Sequence, residues 1–282
     1  MTSNLTTTNH SRDSAGLTYV YPVMSRRAGG LSIGINVNAN NACNWRCVYC
    51  QVPDLKIGAA PDIDFDLLEE ELRSFLKDVL QGDFYDRFEV EADKRTLKDI
   101  AISGNGEPTS AKYFARLVTL IGKIALDAGL LPGIKPVLIT NGSLIHQANV
   151  QQGLKSLQAL GGEVWFKLDS ATLAGRQKIN NTRQSEAQTL RNLRVSAELC
   201  PTKIQTCLLD YAGAGWSDAE QDAYIDLLKQ VLDLSGLSEI MLYTLARPSL
   251  QPEAPYLKAV DSAVMQHFAA RISALGFKVS MH

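Results

Sequence analysis

The residues that carry the most chemistry are Cys43, Cys47 and Cys50. The chain has five cysteines in 282 residues, and three fall within eight positions. They stand in the run Asn41-Ala42-Cys43-Asn44-Trp45-Arg46-Cys47-Val48-Tyr49-Cys50, a C-x3-C-x2-C spacing. Three thiolates on one short loop can each take one iron of a four-iron cluster. The fourth iron then stays open for a substrate or cofactor. Zinc is the rival, but a structural zinc needs a fourth protein ligand. The four histidines, His10, His146, His267 and His282, show no ligand-like pairing, and Cys200 and Cys207 lie far along the chain. A non-catalytic iron–sulfur or zinc scaffold that binds a partner would also account for the cysteines.

Other polar residues fall at intervals that suit a shared site. Ser103-Gly104-Asn105-Gly106-Glu107-Pro108-Thr109 follows an apolar run, and its glycines let backbone approach a ligand closely. Taken alone it reads equally as a tight turn with a surface glutamate. It is not a dinucleotide fingerprint, because Thr109 stands at the third glycine position. Asn141 lies in Thr140-Asn141-Gly142-Ser143, a candidate for ribose or substrate contact or an ordinary turn. Lys167 and Asp169 share one face by strand alternation. Lys167 could bind a carboxylate or phosphate, form a Schiff base with a carbonyl, or sit in a structural ion pair. Tyr243 and Arg247 close the set, with Arg247 as an anion clamp or a solvated loop charge.

The elements that must position these residues alternate in type. Strands are expected at 31–38, 99–103, 135–140, 163–169, 203–210 and 239–246, with a short one at 277–281. Helices are expected at 64–80, 113–128, 146–160, 182–199, 217–232 and 256–275. Six strand-then-helix units imply parallel strands with helices outside. Nearly every strand ends in polar or glycine residues. Six polar ends favour a partial (β/α)6 barrel with its chemistry on one rim over an open sheet with one crevice. The polar 1–16 segment reads as a flexible tail, and 17–282 as a single α/β domain.

The cysteine run, with Tyr49 before its last cysteine, resembles the signature of the radical S-adenosylmethionine superfamily. The placement after the first strand of a six-unit barrel matches too. The resemblance implies a [4Fe-4S] cluster on Cys43, Cys47 and Cys50, with S-adenosylmethionine chelating the fourth iron. It further implies reductive cleavage to a 5′-deoxyadenosyl radical, fed by a reducing partner such as flavodoxin or ferredoxin. The Gly104–Glu107 segment falls where the family has its glycine–glutamate loop, so Glu107 would receive the ammonium group of S-adenosylmethionine. The implied cofactor-binding set is Tyr49, Gly104, Asn105, Gly106, Glu107, Asn141 and Asp169, and the implied catalytic set is Lys167, Arg247 and Tyr243. The phrases Ser-Gly-x-Gly-Glu-Pro-Thr, Thr-Asn-Gly-Ser, Lys-Leu-Asp, Ile204-Gln205-Thr206 and Tyr-Thr-x-x-Arg-Pro resemble the wyosine-tRNA synthase-like branch. That branch carries further N-terminal cysteines for a second cluster, and here no cysteine precedes Cys43. A glycyl-radical enzyme activase would carry Asp-x-Lys on the fourth strand, the reverse of Lys167-Leu168-Asp169.

Charge narrows the substrate. Lysine and arginine total 28 against 30 acids, a net charge of −2, which argues against bulk nucleic-acid binding. Residues 62–99 hold thirteen acids and six bases, and residues 171–203 hold six bases and two acids. The second stretch, with Lys167 and Arg247, would make a positive entrance, so a small anionic or nucleotide-like substrate is expected before a whole tRNA. No apolar run reaches the ~18 residues of a membrane span. Residues 1–16 lack the order of a signal peptide, so a cytoplasmic location is expected.

Overall fold

In the computed structural model of the chain, residues 5, 15–25 and 29–282 are described. Most of the expected 1–16 tail lies outside the described residues. Of that segment Leu5 is buried, and its N–H donates to the Phe88 carbonyl.

The main sheet is built on seven parallel strands: β2 (Gly30–Ile35), β5 (Leu97–Ile102), β6 (Lys135–Thr140), β7 (Glu163–Lys167), β8 (Thr202–Tyr211), β9 (Leu237–Thr244) and β11 (Val279–Met281), paired in that order. All six residues of β2 are buried, as expected where helices cover one face and a packed interior the other. The first strand, β1 (Val20–Ser25), pairs antiparallel with β2 at the free edge. β1 and β11 end the sheet without meeting, so the barrel is partial. Two short strands, β3 (Ala42–Cys43) and β4 (Lys56–Ile57), pair with each other in the cysteine loop.

The crossovers follow their local signals. α1 (Phe65–Gln81) starts at Asp64, whose carboxylate accepts from the Asp66 and Leu67 N–H groups. Its buried stripe of Phe65, Leu68, Leu72, Phe75, Leu76 and Val79 faces the core. Burying each such side chain contributes about 1.5–3 kcal/mol. The buried carboxylate of Glu71 in the same helix accepts from the Thr18 and Tyr19 N–H groups and so sets the entry to β1. After the short α2 (Phe84–Arg87) come α3 (Phe114–Asp127) and α4 (Ala148–Ala159), packed together outside the sheet. Two expectations are corrected in the second half. The helix expected at 182–199 starts later, as α6 (Glu186–Leu199) capped by Ser185, and an unexpected helix, α5 (Leu173–Asn180), precedes it and ends at Asn181 in left-handed geometry. After α7 (Asp218–Lys229), residues 256–275 begin with β10 (Leu257–Ala259), which pairs antiparallel with β8, and only then enter α8 (Ser262–Ser273). Among the described residues no helix is long and apolar enough to cross a membrane.

The end of the barrel away from the cysteines is closed by charge. Lys203 at the start of β8 lies 2.9 Å from Glu163 and 3.5 Å from Glu239, and both carboxylates are buried. Lys135 and Lys278 add 2.9 Å and 3.3 Å contacts. Burial works against the charge on Glu163, but bonds from Trp165, Lys135 and Lys203 prevail and hold its carboxyl below the usual range. A carboxyl lowered in the folded state contributes stability above its unfolded value of ~4.3 and loses it as pH falls through the folded one. Chemical denaturation between pH 7 and pH 3 is expected to show falling stability over this window. Glu163→Gln is expected to be less stable at pH 7 and to show a shallower fall on acidification; an unchanged slope counts against this account.

Candidate active site

The C-terminal ends of the parallel strands surround a cavity of about 320 Å³. Twelve of the thirteen site residues expected from sequence line it: Cys43, Cys47, Tyr49, Cys50, Gly104, Asn105, Gly106, Glu107, Asn141, Lys167, Tyr243 and Arg247. Asp169, the thirteenth, is buried behind the wall. Its Oδ2 accepts from the Tyr49 hydroxyl and, at 2.7 Å, from Asn180 Nδ2, and its Oδ1 accepts from the Cys207 N–H at 2.9 Å. Asp169 therefore ties the cysteine loop, the end of α5 and β8 together.

The cysteine loop is held from three sides. On the α5 side, Val48 N–H donates to the Ile179 carbonyl, Asn181 Nδ2 to the Arg46 carbonyl, and Asn180 Nδ2 reaches Cys47 Sγ at 3.3 Å. On the side of residues 249–253, Arg46 makes a two-point pair with Glu253 at 2.7 and 2.6 Å, and Ser249 Oγ donates to the Val48 carbonyl. On the β6 side, Asn141 Nδ2 donates to Asn44 Oδ1 at 2.8 Å, and Asn44 Nδ2 to Ser143 Oγ at 2.7 Å. All three thiols are free. Burial pushes Cys43 up to about 12 and Cys47 up to about 11. Among the described residues no three Cys, His, Asp or Glu side chains converge as a single-ion site. The three thiols line one cavity. Three free thiols on one wall are a soft donor set, and that set fits a cluster.

The Gly104–Glu107 loop interlocks with the segment before the cysteines. Gly104 has φ +148°, and a Cβ there would strike Asn36; a Cβ on Gly106 would strike the Ala42 carbonyl. Only glycine lets the two loops lie this close. Asn105 donates from its backbone to Asn36 Oδ1 at 2.9 Å and from Nδ2 to Asn41 Oδ1 at 2.7 Å. Glu107 is buried rather than a surface glutamate. Its Oε1 accepts from Thr109 N–H (3.1 Å), Thr109 Oγ1 (2.5 Å) and Thr140 Oγ1 (2.6 Å), and its Oε2 from Asn141 N–H (2.7 Å). Burial raises its carboxyl despite these bonds. A carboxylate has about four acceptor positions, two per oxygen. The crowding falls on Oε1, so Oε2 keeps acceptor capacity.

Across the cavity, Lys167 Nζ donates to the Tyr243 hydroxyl at 3.1 Å and lies 4.8 Å from the Tyr49 ring centroid. Burial works against its charge, but Tyr243 and then the Asp169 carboxylate outweigh that, and the ammonium is held well above lysine's ordinary range. Arg247 Nη1 donates to Gln51 Oε1 at 3.1 Å, beside Cys50. Gln205 pairs with Lys167 across β7 and β8 and lines the same cavity, 1% exposed, with its Nε2 lacking a hydrogen-bond partner. Sequence reading did not single it out for the site; its place two residues before Cys207 on an alternating strand was the available signal.

The basic stretch at 171–203 does not gather at the mouth. Arg176 is fully buried and donates to the Ser170, Ala171 and Gln184 carbonyls; Arg194 pairs with Asp233, and Lys203 lies at the opposite end of the barrel. Lys167 and Arg247 are the stretch's two neighbours that do face the cavity.

Three comparisons bear on this arrangement. A UPF0026 protein of Helicobacter pylori (strain J99) is 26% identical over 231 residues, covering 81% of this chain. The chain spans 66% of that relative's own length, just under two thirds. A UPF0026 protein of Synechocystis is 26% identical, covering 92% of this chain and 93% of its own. The solved structure of TYW1 with a lysine–pyruvate adduct bound shares the fold, with a TM-score of 0.58 at 19% identity over 86% of this chain and 73% of that one. The Radical SAM superfamily profile matches residues 37–228, from before the cysteine loop through α7. The chain belongs to the radical S-adenosylmethionine superfamily, whose enzymes work with a [4Fe-4S] cluster and S-adenosylmethionine.

Proposed function

We propose that this chain is a radical enzyme that cleaves S-adenosylmethionine and acts on a compact anionic substrate, with Cys43, Cys47 and Cys50 as cluster ligands. The observation that carries the reading is the convergence of the three free thiols, the Gly104–Glu107 loop, Asn141 and Lys167 on one cavity. When bound, the cluster supplies the electron that breaks the sulfonium of S-adenosylmethionine and releases a 5′-deoxyadenosyl radical.

The chain's own residues do the positioning. The Glu107 Oε2 carboxylate oxygen takes the ammonium group of S-adenosylmethionine, while Thr109, Thr140 and the Asn141 N–H keep that carboxylate from turning away. Tyr49, held by Asp169, forms a fixed aromatic wall beside the thiols. Lys167, Tyr243 and Arg247 supply donors for the substrate's negative group. A cavity of about 320 Å³ stands at the small end of single-ligand pockets. With S-adenosylmethionine inside, only a small substrate, or a small protruding part of a larger one, fits beside it. Arg176, Arg194 and Lys203 are turned away from the inner cavity, and Lys167 and Arg247 are the cations that line it, which supports a compact anion over a whole tRNA. The lysine adduct of TYW1 raises a covalent reading of Lys167. Lys167 donates to the Tyr243 hydroxyl at 3.1 Å beside the Asp169 carboxylate, an arrangement that favours the charged ammonium. The clamp role is the one supported.

The reading is tested by anaerobic reconstitution. We expect about four irons per chain, loss of loading in each Cys→Ser variant, and an electron paramagnetic resonance spectrum that changes when S-adenosylmethionine is added. Stoichiometric zinc with no cluster overturns it. Glu107→Gln is expected to keep its iron but bind S-adenosylmethionine roughly 10- to 100-fold more weakly, because a charge-assisted bond of about 1.5–3 kcal/mol is lost. Equal affinity by titration would leave the loop a structural turn. Lys167→Ala and Arg247→Ala are expected to lower substrate-coupled turnover while substrate-free cleavage of S-adenosylmethionine persists, and cyanoborohydride with pyruvate should leave Lys167 unmodified by mass spectrometry. Equal loss of both reactions, or a trapped lysine adduct, would each refute the clamp role.

A further inference from the structure

Behind the cysteine loop, on the outer side of the barrel, lies a second cavity of about 540 Å³. Asn44, Trp45, His146, Arg183, Gln188 and Arg191 are among its lining residues, and no carboxylate is. Arg183 and Arg191 are exposed, and neither makes an ion pair among the described residues. The other arginines of the same stretch are committed, Arg176 to backbone carbonyls and Arg194 to Asp233. Glu186, the nearest acid in sequence, accepts from Gln230 instead. Trp45 borders this outer cavity and the inner one alike, and its indole is buried between them. Its backbone N–H lies 3.5 Å from Cys43 Sγ. Trp45, inside the thiol loop, thus lines the open cationic hollow as well as the cavity that holds the thiols.

We propose that this hollow is the docking site of an acidic electron-carrier protein of the flavodoxin type. The inference rests on the radical reading above, which consumes one electron per cleavage. A carrier's hydroquinone gives up that electron and becomes the semiquinone. The electron ends in one carbon–sulfur bond of S-adenosylmethionine, which breaks into methionine and the 5′-deoxyadenosyl radical. Electron transfer falls steeply with distance, so the carrier must meet the chain close to the thiols, and Asn44 and Trp45, which stand between Cys43 and Cys47 in the chain, line this hollow. Two uncommitted guanidinium groups at the rim attract a carboxylate-ringed redox edge and orient it. Redox encounters of this kind use small interfaces, below about 1,200 Å², and depend on charge for their rate.

The experiment compares the reconstituted wild type with the Arg183→Glu/Arg191→Glu variant, driven either by dithionite or by a reduced bacterial flavodoxin. With dithionite the two are expected to cleave S-adenosylmethionine at equal rates. With flavodoxin at low salt the variant is expected to be slower by about 10-fold or more, and raising NaCl to about 0.5 M should bring the wild type down toward it. Flavodoxin binding to the cluster-free chain, read by fluorescence titration, should weaken in parallel. Equal flavodoxin-driven rates, or equal losses with both reductants, would overturn the docking site. Absence of dithionite-driven cleavage in the wild type would instead refute the radical reading, and the binding titration would still decide the docking surface: weakened binding upholds it, unchanged binding removes it.

Discussion

The carboxylate of Asp169 is buried, and that constraint shapes the rim of the barrel. A buried charge without partners is costly, so three donors must be brought to it. They come from three different places: the Tyr49 hydroxyl in the cysteine loop, Asn180 at the end of α5, and the Cys207 N–H of β8. Satisfying the charge therefore docks the loop against the strand ends. Glu107 imposes the same requirement on the opposite side, where Thr109, Thr140 and the Asn141 N–H answer it. Between these two carboxylates the cysteine loop has little freedom, although it contains only a two-residue strand of its own facing another.

Much of this was legible in the sequence, for reasons that differ by element. The parallel strands are legible as short apolar stretches bounded by polar or glycine residues, Ile33 alternating with Ile35 in β2 and Val137 to Ile139 in β6. The cysteine spacing is legible because metal ligation tolerates few alternatives. β1 was hidden: its antiparallel place at the sheet edge is set by Glu71 on α1 accepting from Thr18 and Tyr19, a contact across more than fifty residues. The boundary between α5 and α6 was missed: α5 was not read as a helix, and α6 was expected to start at 182. It is made by Asn181 in left-handed geometry and by the Ser185–Gln188 capping box, local chemistry that outweighs the periodic pattern. The start of α8 moved for a related reason, since residues 257–259 found a partner strand in β8.

The charges of residues 171–203 show where linear reading stops. A run of basic residues says how much charge a segment carries and nothing about its direction. Here Arg176 points inward to carbonyls, Lys203 bridges the acids that close the far end of the barrel, and Arg194 covers a neighbouring helix. Asp169 and Glu107 were read as groups that meet a ligand, and each also accepts from the protein's own donors, a duty that linear reading does not display. The residue that remains unanswered in the wall is Gln205, a neutral amide that composition and charge could not have flagged.

The two cavities divide the work of the rim by their polarity. The inner one is bounded by aromatic and small residues with Lys167 deep in its wall, so a ligand there exchanges water for fixed donors at little cost in reorganisation. The outer one is open and cationic, suited to an encounter that must form and dissolve quickly. Both press on the same short segment between Cys43 and Cys47. Enlarging the inner cavity at Trp45 would breach the outer one, and closing the outer one would bury two arginines that have no acid to meet. The position of Trp45 is thus constrained from both sides, which ties the volume of the inner cavity to the lining of the outer one.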